Sequence, residues 1–317
     1  MTPIAPAPLG EPASLLTSAL IEGGGAWDGA PVRPRGEFET LQEYARPWRT
    51  NAQLAKLAAA PHGPGGSFRF AVIGDAEPGR FWITRRLFSK PGVFWRLLAR
   101  ADRSGSDFIF QLGDMVSRGT SAGFLAFIRG LFASGTRTPY LTALGNHDRH
   151  KPHGVTHDRM YRAAFGSPDY SFTRGGWRFV VVDSSVGRVT EAQLKWLEGE
   201  LDPAVPAVVF THIPPAPLSE WTDWGRLKGA GGFKEGGEEF MRLMSAKKVA
   251  RVYMGHIHGL GVLERGGVKY VLTGGGGSPL FPGPVKRRLH HWLSVEVLPE
   301  GLTETVHADD GSSFPLR

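Results

Sequence analysis

Phe68-Arg69-Phe70-Ala71-Val72-Ile73-Gly74-Asp75-Ala76-Glu77 is an apolar run that stops at a glycine and then carries two carboxylates separated by one residue. The run reads as a buried strand, so the acids stand where a strand ends and a loop begins. The same order repeats along the chain. Residues 108–112 are followed by Gly113-Asp114, and 140–144 by Gly145-Asn146-His147-Asp148. Residues 207–211 are followed by His212, and 250–254 by Gly255-His256-Ile257-His258. In α/β folds the carboxyl ends of the strands line one crevice, so these loops can converge. Each piece alone is weak, since a Gly-Asp pair is usually a turn. The ordered set, each member after an apolar strand, is what carries information. Glycine before the acid suits a turn in which backbone must approach a ligand closely.

The bulk properties narrow the field. The chain has 317 residues, within reach of one large α/β unit, and 41% apolar content can fill a sizeable core. No apolar run is long enough to span a membrane. The apolar patch Ser14–Ile21 has no Lys or Arg before it and makes a poor signal peptide. The expected compartment is therefore cytoplasmic by default, with an extracytoplasmic one left open if the chain is trimmed. There are no cysteines, which excludes disulfides and thiolate metal sites. Net charge is +7, a balance that suits an anionic ligand such as a phosphate ester without implying nucleic acid. The one compact basic cluster, Lys286-Arg287-Arg288, reads as a solvated loop.

Residues 1–66 are rich in Pro and Gly and read as an extension with short helices. Phe38, Leu41 and Tyr44 recur at helical spacing, and Asn51 is placed to cap a second helix. Residues 67–309 form the main domain and 310–317 a tail. Within the domain, strands are expected at 68–73, 108–112, 140–144, 170–173, 177–183, 207–211, 250–254, 260–264, 268–273, 291–297 and 302–307. Gly175-Gly176 and Gly266-Gly267 mark hairpins. Helices are expected near 81–103 (broken at Pro91), 121–134, 158–165, 190–201 and 236–246. Thr190-Glu191-Ala192-Gln193 fits a capping box. Parallel-type units mixed with hairpins suggest an α/β sandwich of mixed sheets with helices outside.

Carboxylates and imidazoles without soft ligands suit a pair of divalent cations such as zinc, manganese or iron. A carboxylate shared between two such ions would hold them about 3.5–4 Å apart, as a clamp for a phosphoryl group. With the five motifs in order, the sequence resembles the calcineurin-like metallophosphoesterase superfamily over roughly residues 68–280. The stretches Phe172–Ser185 and Thr273–Gly277 are also similar to that family. The resemblance implies a four-layer α/β/β/α sandwich, two mixed β-sheets flanked by helices. It implies two divalent metal ions. Asp75, Asp114 and His258 would bind the first, and Asp114, Asn146, His212 and His256 the second, with Asp114 as the bridge. His147 would contact phosphate and protonate the leaving oxygen, and Asp148 would orient His147, unless it caps a turn instead.

Two positions depart from the family's pattern. The residue two after the first Asp is usually His, and here it is Glu77. Glu77 has three readings: a ligand directly or through water, a role behind the ligands or toward substrate, or a solvated loop acid. As a ligand it would make the first site harder and favour manganese or iron, with zinc still able to bind. Ser117 stands where purple acid phosphatases place a metal-binding Tyr, which argues against that subgroup. Around these motifs, Arg80, Arg85, Arg118, Arg149, His150, Lys151, His153 and His157 can reach a phosphate or remain solvated. The Trp-rich segment Glu220–Gly225 reads as a pocket wall or as surface buried against the extension.

The expected function is metal-dependent hydrolysis of phosphate esters by attack of a metal-bound hydroxide, with phosphodiesters favoured slightly over monoesters. Nucleic acid is not indicated beyond a nucleotide as substrate. The alternative, motivated by Glu77, is a catalytically impaired scaffold of the same fold that binds a protein partner.

Overall fold

The computed structural model describes residues 36–61, 67–77, 92–151, 156–219, 231–281, 288–298 and 301–317. Gly36–Arg317 forms one compact unit. The Trp221–Trp224 segment, His153, Arg80 and Arg85 lie outside the described residues, as do Lys286 and Arg287.

Twelve strands form two six-stranded sheets among the described residues. They are β1 (Phe68–Ile73), β2 (Phe108–Gln111), β3 (Tyr140–Thr142), β4 (Tyr170–Arg174), β5 (Trp177–Val181) and β6 (Ala207–Thr211). They continue with β7 (Arg251–Met254), β8 (Leu260–Arg265), β9 (Val268–Thr273), β10 (His291–Leu298), β11 (Gly301–Ala308) and β12 (Ser313–Pro315). The first sheet has the order β12-β11-β10-β1-β2-β3, and the second β4-β5-β6-β7-β9-β8. Strands β1, β2 and β3 run parallel, as do β5, β6, β7 and β9. The β4–β5 and β8–β9 pairs are antiparallel hairpins, as their Gly-Gly turns predict.

The helices are α1 (Glu37–Tyr44), α2 (Thr50–Ala59), α3 (Val93–Asp102), α4 (Ser121–Ser134), α5 (Arg159–Ala164), α6 (Glu191–Glu200), α7 (Ala216–Ser219) and α8 (Gly237–Ala246). Helix α6 carries the capping box that its sequence announces, with Thr190 and Gln193 bonding reciprocally. Helix α2 differs from expectation. It begins at Thr50, and Asn51 bonds only the next amide, so it does not cap the helix. Helices α1 and α2 send Leu41 and Leu57 into the core, so the end of the 1–66 segment shares the core of the unit that follows. The tail contributes β12.

Three apolar layers explain the stacking. The inner faces of both sheets meet in a layer that includes Phe70, Phe108, Phe110, Phe179, Phe210 and Tyr253. A second layer holds α1, α3, α4 and α5 on the first sheet, and a third holds α6 and α8 on the second. The result is the four-layer α/β/β/α sandwich. The central layer is aromatic: the Phe110 and Phe210 rings stack across the sheets at 3.8 Å, and Phe70 stacks on Phe108 at 4.9 Å. Phe210→Ala removes a fully buried ring from this seam. It is expected to cost about 3–5 kcal/mol, read from the urea unfolding midpoint. A loss below about 1 kcal/mol would mean that the neighbouring rings collapse into the gap.

Candidate metal centre

The five motif loops do converge. Sheet one supplies Asp75 after β1, Asp114 after β2 and Asn146 after β3. Sheet two supplies His212 after β6, and His256 and His258 after β7. Oxygen donors thus come from one sheet and imidazoles from the other.

Two trios have ligand atoms all within 4.8 Å of one another: Asp75, Asp114 and His258, and Asp114, His212 and His256. Asp114 is common to both. The amide oxygen of Asn146 lies 3.0 Å from both His212 Nε2 and His256 Nδ1, which adds it to the second trio. Asp114 Oδ2 is 3.2 Å from His212 Nε2. Two of the three rings are aimed from behind. His212 Nδ1 donates to the Leu112 carbonyl (2.7 Å), and His258 Nδ1 donates to the Pro279 carbonyl (2.8 Å). Such contacts fix the tautomer and leave Nε2 for the centre. The His256 backbone N–H donates to the Asp75 carboxylate at 3.0 Å, tying the β7 loop to the β1 loop.

The backbone here is shaped for close approach. Asp114 and His256 have positive φ, +50° and +68°, an uncommon conformation for side-chain-bearing residues. A Cβ at Gly145 would sit 2.1 Å from the Asp114 backbone N and from its Oδ1. A Cβ at Gly274 would sit 2.8 Å from Asp75 Oδ2, so the 274–277 glycine run is also a wall of the site.

The electrostatics fit a cation pair. Burial holds Asp75 well above the usual carboxylate range, and the Asp114 charge adds to this. Asp114 is also pushed up by burial, but His212 and His147 override this and hold it low. Burial would lower His212, yet Asp114 and Asp75 together raise it to about 10. Burial, helped by the His212 charge, takes His256 down to about 3, and burial lowers His258 as well. Two rings are thus neutral at physiological pH, as ligands must be, while His212 is a cation until a metal displaces its proton. The donor set of carboxylate, amide and imidazole, without thiolate, fits two divalent ions.

His147 and Asp148 are brought to the edge of this cluster. The His147 N–H donates to Asp114 Oδ1 (2.8 Å), and its Nδ1 donates to the Ser117 carbonyl at 3.3 Å, which leaves Nε2 as the basic nitrogen. Asp148 corrects an expectation. Its carboxylate does not orient the His147 ring. It accepts from the N–H groups of Met115 (2.8 Å), Val116 (3.1 Å) and Gly145 (2.9 Å). The three backbone donors engage both oxygens, so Asp148 clamps the β2 loop to the β3 loop. Burial and the Asp114 charge raise Asp148 to about 7 against those donors.

Glu77 is buried and belongs to neither trio. Its Oε2 accepts from Ser117 Oγ at 2.7 Å. Arg149 is buried too. Its guanidinium bonds Ser185 Oγ, the Thr156 carbonyl and Asp183 Oδ2. Arg118 is exposed and donates from Nε to the His150 carbonyl, while the His150 and His157 rings stack at 4.7 Å.

Three contributors went unread in the sequence. Ser184 Oγ accepts from Thr211 Oγ1 and the Ile213 N–H, both at 2.7 Å, and so pins both neighbours of His212. Phe281 stacks on His258 at 5.0 Å, and Ser278 Oγ donates to the Glu77 carbonyl. Only the Asp-Ser-Ser ending after β5 hinted at the first.

Comparisons with known proteins agree with this geometry. A 3′,5′-cyclic-nucleotide phosphodiesterase of Nostoc sp. is 29% identical over 160 residues, 48% of this chain and 56% of that protein. The purple acid phosphatase of yellow lupin (Lupinus luteus) seeds shares the fold with TM-score 0.62 and 16% identity, over 81% of this chain and 54% of that one. GAP50, the anchor in the inner membrane complex of Plasmodium, shares it with TM-score 0.55 and 15% identity, over 79% of this chain and 89% of that one. The match spans about half the length of the Nostoc relative and of the lupin chain. No helix among the described residues is long and apolar enough to cross a membrane. The profile described as calcineurin-like phosphoesterase matches residues 68–260, more than half of the chain and every donor from Asp75 to His258. This chain belongs to the calcineurin-like phosphoesterase family.

Proposed function

We propose that the chain is a metal-dependent phosphoesterase that prefers phosphodiesters. The observation that carries this reading is the carboxylate of Asp114 shared between two donor trios. Asp75, Asp114 and His258 would hold one divalent cation, and Asp114, Asn146, His212 and His256 the other, with manganese or iron favoured and zinc able to bind. Cations held there would supply charge neutralisation for the phosphoryl group and a lowered pKa for water. The chain's own groups do the rest. The Asn146 amide faces the second ion's place, where its N–H groups can meet phosphoryl oxygen. His147 Nε2, in its protonated form, donates to the leaving oxygen, and the Asp114 and Ser117 contacts hold it there. Asp148 keeps the two loops at a fixed separation.

Diester preference is supported by the name of the Nostoc relative and by Arg149. A monoester dianion calls for an added cationic partner. Arg149, the arginine next to the Asn146–Asp148 motif, is spent on Asp183, Ser185 and Thr156. A scaffold that only binds a protein partner would leave the shared-carboxylate cluster without a role.

The test is hydrolysis of bis-p-nitrophenyl phosphate and of p-nitrophenyl phosphate by manganese-loaded and chelator-treated protein. The expected result is a metal-dependent rate that is higher on the diester. Absence of any metal-dependent rate on either substrate, in folded protein, would overturn the reading. A higher rate on the monoester would overturn the diester preference alone.

A further inference from the structure

Glu77 is 4% exposed, although it lies in a loop. The chain fixes it at three points. Its N–H donates to the Asp114 carbonyl (2.9 Å), its carbonyl accepts from Ser278 Oγ (2.8 Å), and its carboxylate accepts from Ser117 Oγ (2.7 Å). It is close enough to His258 for its charge to act on that ring. Glutamate is seldom kept this far under cover, and a solvated loop acid needs no such anchoring. The two ends of the centre already differ. One trio has two carboxylates and one imidazole, and the other has one carboxylate and two imidazoles joined by the Asn146 amide. Glu77 stands at the carboxylate-rich end. Ser117 connects this acid to the rest of the site, because its carbonyl also accepts from His147 Nδ1.

Resting on the phosphoesterase reading, we propose that Ser117 holds Glu77 as a third carboxylate serving the Asp75–Asp114–His258 position, and that this pair makes the position select manganese or iron over zinc. Hard oxygen donors favour the former, and imidazole-rich sets suit zinc. The centre is then asymmetric by design of its donors, one place strongly anionic and the other close to neutral. Ser117 is a positioning residue that acts through Glu77.

The test measures ions bound by the full chain, without reference to turnover. Manganese binding and manganese–zinc competition are followed by equilibrium dialysis with metal analysis. The variants are Glu77→Gln, Ser117→Ala and Ser117→Thr, each with its melting curve. Glu77→Gln is expected to weaken manganese at one of the two positions by roughly ten- to hundredfold and to shift competition toward zinc. Ser117→Ala should weaken the same position by about tenfold, and Ser117→Thr, which keeps the hydroxyl, should restore it. Native-like manganese affinity and competition in both Glu77→Gln and Ser117→Ala, in chains that melt like the native one, would overturn the proposal. A native chain that binds no cation pair would overturn the phosphoesterase reading, and this proposal with it.

Discussion

Asp114→Ala is expected to empty both metal positions and to lower diester hydrolysis by about a thousandfold or more, ~4 kcal/mol of transition-state stabilisation. The magnitude follows from how many tasks one side chain performs. Its oxygens belong to both donor trios. One accepts from the His147 N–H at 2.8 Å, and the other meets His212 Nε2 at 3.2 Å. Removing it leaves Asp75 with His258 on one side, and His212 with His256 and Asn146 on the other. Neither remnant contains a shared ligand to bring two ions together. The loss also withdraws the charge that holds His212 protonated before metal arrives. Metal analysis after dialysis is the direct check, with Asp114→Asn as a variant of nearly the same shape. Two ions retained per chain in Asp114→Ala would show that the bridge lies elsewhere.

His147→Ala should behave differently. Both trios remain, so bound metal should match the native chain. The rate constant kcat should fall by roughly 10²–10⁴, the range for loss of a positioned proton donor. The fall should depend on the leaving group. A nitrophenolate departs without a proton, whereas an alkoxide such as a ribose oxygen needs one. The variant should therefore be nearly competent on nitrophenyl diesters and severely impaired on alkyl or cyclic ones. Equal loss on both classes would assign His147 to charge stabilisation instead of proton delivery. Loss of metal in this variant would place the imidazole among the ligands.

How far the sequence could be read differs from element to element, for physical reasons. Strand β6 and the Phe179–Val181 end of β5 are continuous apolar runs because both faces are covered, and that burial writes itself into composition. Strand β12 is three exposed residues at a sheet edge, and nothing in Ser313-Phe314-Pro315 marks it. The start of α2 escaped for a related reason, since Arg49 at its first boundary offers no side-chain cap. The donors from Asp75 to His258 were legible because each follows an apolar run, a local signal. The work of Asp148 was not legible. Its three N–H partners come from residues 115, 116 and 145, and only the approach of two loops brings them to one carboxylate. Ser184 is the same case, a serine whose value lies in residues 211 and 213.

The division of donors between the sheets has a consequence for the chain's synthesis. Of the donors proposed for the two ions, those up to residue 148 are oxygens only, and the rings emerge from the ribosome more than sixty residues later. A half-made chain would offer an ion nothing better than loose carboxylates. The first sheet is itself unfinished until β10 inserts between β1 and β11. Metal capture would therefore report that both sheets have been made and brought together.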